Sequence, residues 1–162
     1  MAKRIALSIM ALAALLTACR TSDGLTKEER AQLIAQQIVN SLENRNYTIA
    51  VDWMKPLGGM SRHVSSNYEL KINGDEVDSY LPYIGEAYRL PYGGSKGLNF
   101  KGTIENYSVT QVTSNRYVIE FNVRNDEDFF HYRIDLFNNG KAVIDVIARD
   151  RDAISFDGEM VL

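Results

Sequence analysis

From Tyr47 onward, apolar side chains recur at every second position, and this period constrains the fold more than any other feature of the chain. Successive side chains of an extended strand point to opposite faces, so a period of two marks strands with one face buried. Tyr47, Ile49, Val51 and Trp53 alternate with Thr48, Ala50 and Asp52. Tyr68, Leu70 and Ile72 alternate with Glu69 and Lys71, and Asn73-Gly74 supplies a hairpin turn into Val77–Leu81. Asn99–Ile104 and Tyr107–Thr113 read as two further strands. Arg116–Arg124 follows a Ser114-Asn115 turn, with Tyr117, Ile119, Phe121 and Val123 on its apolar face. Phe129–Phe137 follows an acidic turn, Asp126-Glu127-Asp128, and Asn138-Asn139-Gly140 leads into Ala142–Ala148. Ile154–Met160 comes last. Short strands joined by tight turns, without crossover helices, demand antiparallel pairing in a meander.

The one departure from that period precedes it. In LTKEERAQLIAQQIVNSLENRN, Leu33, Ile34, Gln37, Ile38, Ser41 and Leu42 share one face at helical spacing. Thr26 and Glu29 form a capping box, each side chain accepting a free N–H of the first turn. The expected fold is therefore mainly β (α+β). It is a curled antiparallel meander, barrel-like or sandwich-like, with roughly seven to nine strands and one N-terminal helix, Lys27–Asn44, against it.

The first residues speak of location. Lys3 and Arg4 precede an uncharged, mostly apolar run, Ile5–Ala18, which is shorter than the about 20 residues that a membrane span needs and has the flanks of a secretory leader. Leu16-Thr17-Ala18-Cys19 has the pattern of a bacterial lipobox. Cys19 is the single cysteine of the chain, so it has no disulfide or metal partner within it. The organisation expected is a signal peptide over 1–18, an acylated Cys19 with a tether over 19–24, and one domain over 25–162. Acyl chains burying about 0.8 kcal/mol per CH₂ would hold the protein to a membrane. Arg20, rather than an aspartate, follows the cysteine, which favours the periplasmic face of the outer membrane. Without Lys3 and Arg4 the 18 basic residues become 16 against 21 acidic ones, a net charge near −5. That balance argues against nucleic acid, which needs a basic stripe.

Chemistry is weakly signalled. His63 and His131 are the two histidines, and neither belongs to a ligand-spaced cluster; no metal or cofactor is expected. His131 sits at an outward strand position, and His63 in a turn after Gly58-Gly59. Ser61, His63 and an acid could be drawn together as a hydrolase site, but no nucleophile elbow surrounds the serine. Asp75, Glu76 and Asp78 lack the spacing of a calcium loop and read as a solvated hairpin. Asp150-Arg151-Asp152 reads as a charged turn, and Gly93-Gly94-Ser95-Lys96-Gly97 lacks phosphate-loop spacing.

The run Asn67-Tyr68-Glu69-Leu70-Lys71-Ile72-Asn73-Gly74-Asp75, then Asp78–Tyr88, Pro91–Gly94 and Phe100-Lys101-Gly102, resembles a family of Bacteroidetes envelope lipoproteins catalogued as a domain of unknown function. The segment Tyr-Leu-Pro-Tyr-x-Gly-x-Ala-Tyr is the most specific part of the likeness, which extends from the helix to Ile154–Gly158. The resemblance implies envelope localisation and a small β-rich domain. It carries no activity and no catalytic residues.

The same segment is the candidate binding site. Leu81–Gly94 holds two of the three prolines, and four of the nine tyrosines fall between Tyr80 and Tyr92. Pro82 and Pro91 pre-set the backbone and so reduce the entropy lost on ordering. Tyr80, Tyr83, Tyr88 and Tyr92 offer flat faces with a polar rim, and Arg89 adds a planar donor, the side chains that most often anchor interfaces or stack on sugars. The partner would be a glycan, a peptide or another envelope protein. The competing expectation is structural, with the tyrosines capping an open end of the sheet.

Overall fold

Alternation does build the strands, and the computed structural model shows how they close; it describes residues 24–65, 67–88 and 97–162. The helix α1 covers Lys27–Glu43. Nine strands follow among the described residues: β1 Asn46–Pro56, β2 Arg62–His63, β3 Glu69–Asn73, β4 Glu76–Leu81, β5 Leu98–Thr113, β6 Arg116–Arg124, β7 Phe129–Phe137, β8 Lys141–Ala148 and β9 Ile154–Met160. All pairings are antiparallel, in the order β1-β3-β4-β5-β6-β7-β8-β9, and β9 pairs back onto β1. The sheet is thus an eight-stranded barrel, and closure removes the free edges that an open meander would have had to protect. Two-residue β2 lies beyond β3 on the same side of β1, pairing at Trp53 and Met54.

Inward positions are those the alternation marked. Ile49, Leu70, Ile72, Ile119, Phe121, Phe130, Tyr132, Ile134, Ile144 and Phe156 are essentially without solvent contact. Phe121 stacks on Tyr132 at 4.9 Å, and Phe100 on Phe130 at 4.8 Å. Each such side chain contributes about 1.5–3 kcal/mol by leaving water. The barrel is filled rather than hollow along this row. Its outward rows carry ion pairs such as Arg116–Asp135 at 2.7 Å and Lys101–Asp78 at 2.7 Å. An apolar interior with a charged exterior is the reverse of a membrane-spanning barrel.

Helix α1 begins as its capping box requires: Thr26 N–H donates to Glu29 at 2.9 Å, and Glu29 N–H to the Thr26 hydroxyl at 3.2 Å. From Leu33 on, the helix belongs to the same compact unit as the sheet. Ile38 and Leu42 are buried in the barrel's core cluster, with Ile34 half-buried beside them, while Leu33 and Gln37 are exposed. The apolar face is therefore narrower than its sequence spacing suggested.

Two irregularities bear on the expected strands, and both are bulges; a further register shift lies near the end of β5, between Gln111 and Thr113. Asn99–Ile104 and Tyr107–Thr113 are one long strand, β5, interrupted between Glu105 and Ser108. Asn106 adopts φ 55°, a conformation asparagine tolerates, so the chain absorbs one extra residue without leaving the sheet. The second bulge lies in β1 between Val51 and Trp53. It shifts the alternation by one, so Met54 turns inward and Trp53 outward. Trp53 is accordingly 42% exposed, not a continuation of the Tyr47–Ile49–Val51 face.

Candidate functional site

An antiparallel barrel sorts its connections onto two ends. The exit from β4, the entry to β5, the β6–β7 turn and the β8–β9 loop share one end, together with the exit from β1. Tyr83–Tyr88 are consequently placed beside Asp126–Asp128 and Asp150–Asp152, which lie far away in sequence.

That end is fastened by a buried charge cluster. Asp128 and Arg151 are 3% and 5% exposed. The Arg151 guanidinium donates through Nε to Asp128 at 3.1 Å, through Nη2 to Glu127 at 3.4 Å and through Nη1 to the Gly97 carbonyl at 3.1 Å. Asp128 also accepts the backbone N–H groups of Phe129, Arg149 and Asp150. Its charge is thereby distributed over donors from two loops, which is how a carboxylate can be buried at all. The guanidinium lies over the rings of Phe130 and Tyr83, at 5.2 and 5.4 Å from their centroids. The expectation that Asp150-Arg151-Asp152 is a charged surface turn is therefore corrected: its arginine is a core residue. The acidic turn at Asp126–Asp128 is likewise anchored inward at Asp128. Nothing in the local sequence distinguishes a solvated Asp-Arg-Asp from a buried one; the signal is the acid pair 23 and 24 residues upstream.

Over this cluster runs the segment itself. Tyr83 is half-buried, and its hydroxyl lies 3.1 Å from both the Glu86 and Asp152 carbonyls, either of which it can donate to. Burial, then the nearby Asp152 charge, raises the Tyr83 pKa. A Cβ at Gly85 would stand 2.7 Å from the Tyr83 hydroxyl, so a larger residue there would have to displace that ring. Tyr88 N–H donates to the Asp150 carbonyl at 2.8 Å, Asp152 N–H to the Glu86 carbonyl at 3.0 Å, and Ala87 bridges Arg151 as a single β-pair. Asp152 closes the array. It accepts the Glu86 N–H at 3.0 Å and the Tyr88 hydroxyl at 2.5 Å. These two donors hold its carboxyl below the usual carboxylate pKa, the Tyr88 hydroxyl being the larger influence, and the Tyr88 pKa rises in return.

The described tyrosines of the segment thus divide. Tyr83 is a structural peg, held by burial and by its hydroxyl contacts. Tyr88 is 65% exposed with its hydroxyl tied down, and Tyr80 is exposed, its ring 5.2 Å from that of Tyr68. Arg89 and Tyr92 lie outside the described residues, as does Cys19. Tyr80 also belongs to a surface lattice set by register. Outward rows across β3, β4 and β5 read Glu69–Tyr80–Asn99, Lys71–Asp78–Lys101 and Asn73–Glu76–Thr103. A concavity of about 360 Å³ lies over the last two rows. Its donors and acceptors alternate, and the bond to Asp78 raises the Lys101 pKa above the ordinary lysine value.

The other candidates lie apart. Ser61 and His63 are exposed; His63 meets the Trp53 ring at 85° and 5.8 Å, and among the described residues no hydrogen bond joins it to Ser61. His63 stands in β2, not in a free turn. His131 is outward on β7 as expected, its Nδ1 2.9 Å from the Asn122 amide oxygen. Asp75 pairs with Arg45, and Asp78 with Lys101. Among the described residues, no group of three or more potential ligands could hold a metal ion, and no helix is long and apolar enough to cross a membrane.

The fold has a solved counterpart. A crystal structure of a DUF4251 family protein from Bacteroides eggerthii DSM 20697 superposes with a TM-score of 0.61 over 80% of this chain and 87% of that one, at 13% sequence identity. At that identity the likeness speaks for the fold alone. No curated protein matches the chain. The family model for a domain of unknown function, DUF4251, matches residues 29–160, nearly the whole of α1 and the barrel, and the chain belongs to that family.

Proposed function

We propose that this protein is a lipid-anchored envelope module that binds a glycan on the Tyr80–Tyr88 side of its barrel and performs no catalysis. Anchoring would be through an acylated Cys19 at the periplasmic face of the outer membrane, as the leader and lipobox suggest. The observation that carries the binding reading is Tyr88: its ring is exposed while its hydroxyl, its N–H and the following loop partner Asp150–Asp152 are all bonded. An aromatic face that is already immobilised loses little entropy when a ligand stacks on it. The charge-balanced rows beside Tyr80 supply alternating donors and acceptors suited to hydroxyl groups rather than to an ion. The hydrolase alternative through Ser61 and His63 has no geometric support, since both are exposed and unjoined.

Two experiments test this. A clickable fatty acid should label the wild-type protein in cells and leave Cys19→Ser unlabelled; a labelled serine variant ends the anchoring claim. A saccharide array probed with the full-length chain should give signals that Tyr80→Ala and Tyr88→Ala each remove while melting temperature holds. Signals unchanged by both substitutions, or an array silent for wild type, would remove the glycan reading.

A further inference from the structure

A second surface, on the opposite flank of β1, has features of its own. The bulge that turns Trp53 outward also leaves Asp52 exposed, so two consecutive residues of one strand face solvent. Bulges re-aim side chains, and this one is locked in place. Gly158 lies against it, and a Cβ there would stand 2.1 Å from the Ala50 carbonyl oxygen, so β9 can follow the bulge only as glycine. Register places Val143, Asp157, Trp53 and His63 in one row across β8, β9, β1 and β2. The row borders a groove of about 290 Å³ that Asp52, Phe137 and Glu159 also line. Trp53 is the single tryptophan of the chain.

Charge decides what such a groove suits. Asp157 is neutralised by Lys55, and Glu159 stands 3.8 Å from Lys141. Among the described residues Asp52 has no ion pair and no side-chain hydrogen bond. The groove therefore holds one uncompensated carboxylate next to an exposed indole. Tryptophan is the strongest aromatic partner for a cation, and a nearby carboxylate adds to the attraction.

We propose that the Trp53 groove binds a cationic side chain, lysine or arginine, of a basic peptide segment, with the cation against the indole and Asp52 as its counter-charge. The apolar walls at Val143 and Phe137 accept the aliphatic stem of such a residue.

Trp53 itself reports on the outcome. The full-length chain is titrated with a hexa-arginine peptide while tryptophan emission is followed, with hexa-glutamate and a neutral hexasaccharide as comparisons. Hexa-arginine should change the emission saturably, the other two should not, and 0.5 M salt should weaken the effect. Asp52→Asn keeps the fluorophore and should weaken binding at least about threefold. Trp53→Leu, followed by calorimetry, should weaken it at least as much. An emission unmoved by hexa-arginine overturns the proposal. So does an equal response to the neutral sugar or to hexa-glutamate, or an affinity indifferent to both salt and Asp52→Asn.

Discussion

The two ends of the barrel use the same residue types in opposite ways. At the end where α1 enters β1, Arg45 pairs with Asp75 at 2.6 Å and covers the Tyr107 ring at 4.5 Å, while Tyr47 and Tyr107 share a hydroxyl contact at 3.1 Å. Both charges remain substantially in water, with side chains 41% and 74% exposed. At the other end Arg151 and Asp128 make an ion pair whose side chains are 3% and 0% exposed, again with a tyrosine ring against the guanidinium. Solvent screens the first pair and cannot reach the second. An exposed pair is worth about 0–1 kcal/mol, whereas breaking a buried one strands its partner without water. The barrel end that carries the candidate binding segment is thus also the end with the larger ionic commitment.

The comparison is easiest to break at Arg151. Arg151→Met removes the cation bonded to buried Asp128 and should cost about 3–5 kcal/mol in denaturant unfolding. A loss below about 1 kcal/mol would mean that the cluster is wetter than its burial indicates. Next in size is Tyr83→Phe, which keeps the ring under Arg151 and deletes one hydroxyl donor; about 0.5–1.5 kcal/mol is expected from the same measurement. At the opposite end Asp75→Asn should change stability by less than about 1 kcal/mol, and that change should shrink further in 1 M salt. An effect of Asp75→Asn comparable to that of Arg151→Met contradicts the contrast between the ends.

The smallest effect is the dependence on pH of the Tyr88–Asp152 contact. Asp152 has a folded pKa below its unfolded one, so its contribution is present above the unfolded value and is lost as pH falls through the folded one. Tyr88 is shifted upward, so its contribution is present below about pH 10 and is lost as pH rises through its folded value. The contact should therefore hold across neutral pH and open in acid below the ordinary carboxylate range. A side-chain NMR titration of Asp152 in wild type and Tyr88→Phe checks this: the phenylalanine variant should move the Asp152 midpoint upward.

Much of this architecture is legible in the sequence. Period two located nearly every strand, the Asn73-Gly74 turn set the β3–β4 register, and Thr26 with Glu29 marked the start of α1. The failures have a shared physical origin in contacts that no local window contains. The β1 bulge depends on Gly158, a hundred residues away along the chain, so Trp53 looked like a core position. Arg151 lies between two aspartates and reads as solvated until Glu127 and Asp128 are folded against it. The tyrosine segment was recognisable by composition alone, but composition does not separate Tyr83, held from beneath, from Tyr88, held only by its hydroxyl and backbone.

The central claim is that the Tyr83–Tyr88 segment is an ordered surface, fastened to the β8–β9 loop before any ligand arrives. Amide hydrogen exchange tests it directly, because the Glu86 N–H donates to the Asp152 carboxylate and the Tyr88 N–H to the Asp150 carbonyl. In the wild-type protein both amides should exchange far more slowly than those of an open peptide. Asp152→Ala should abolish the protection at Glu86 and reduce it at Tyr88, while Ile134 in the middle of β7 stays protected. Glu86 and Tyr88 amides that exchange at open-peptide rates in the wild type would contradict the account.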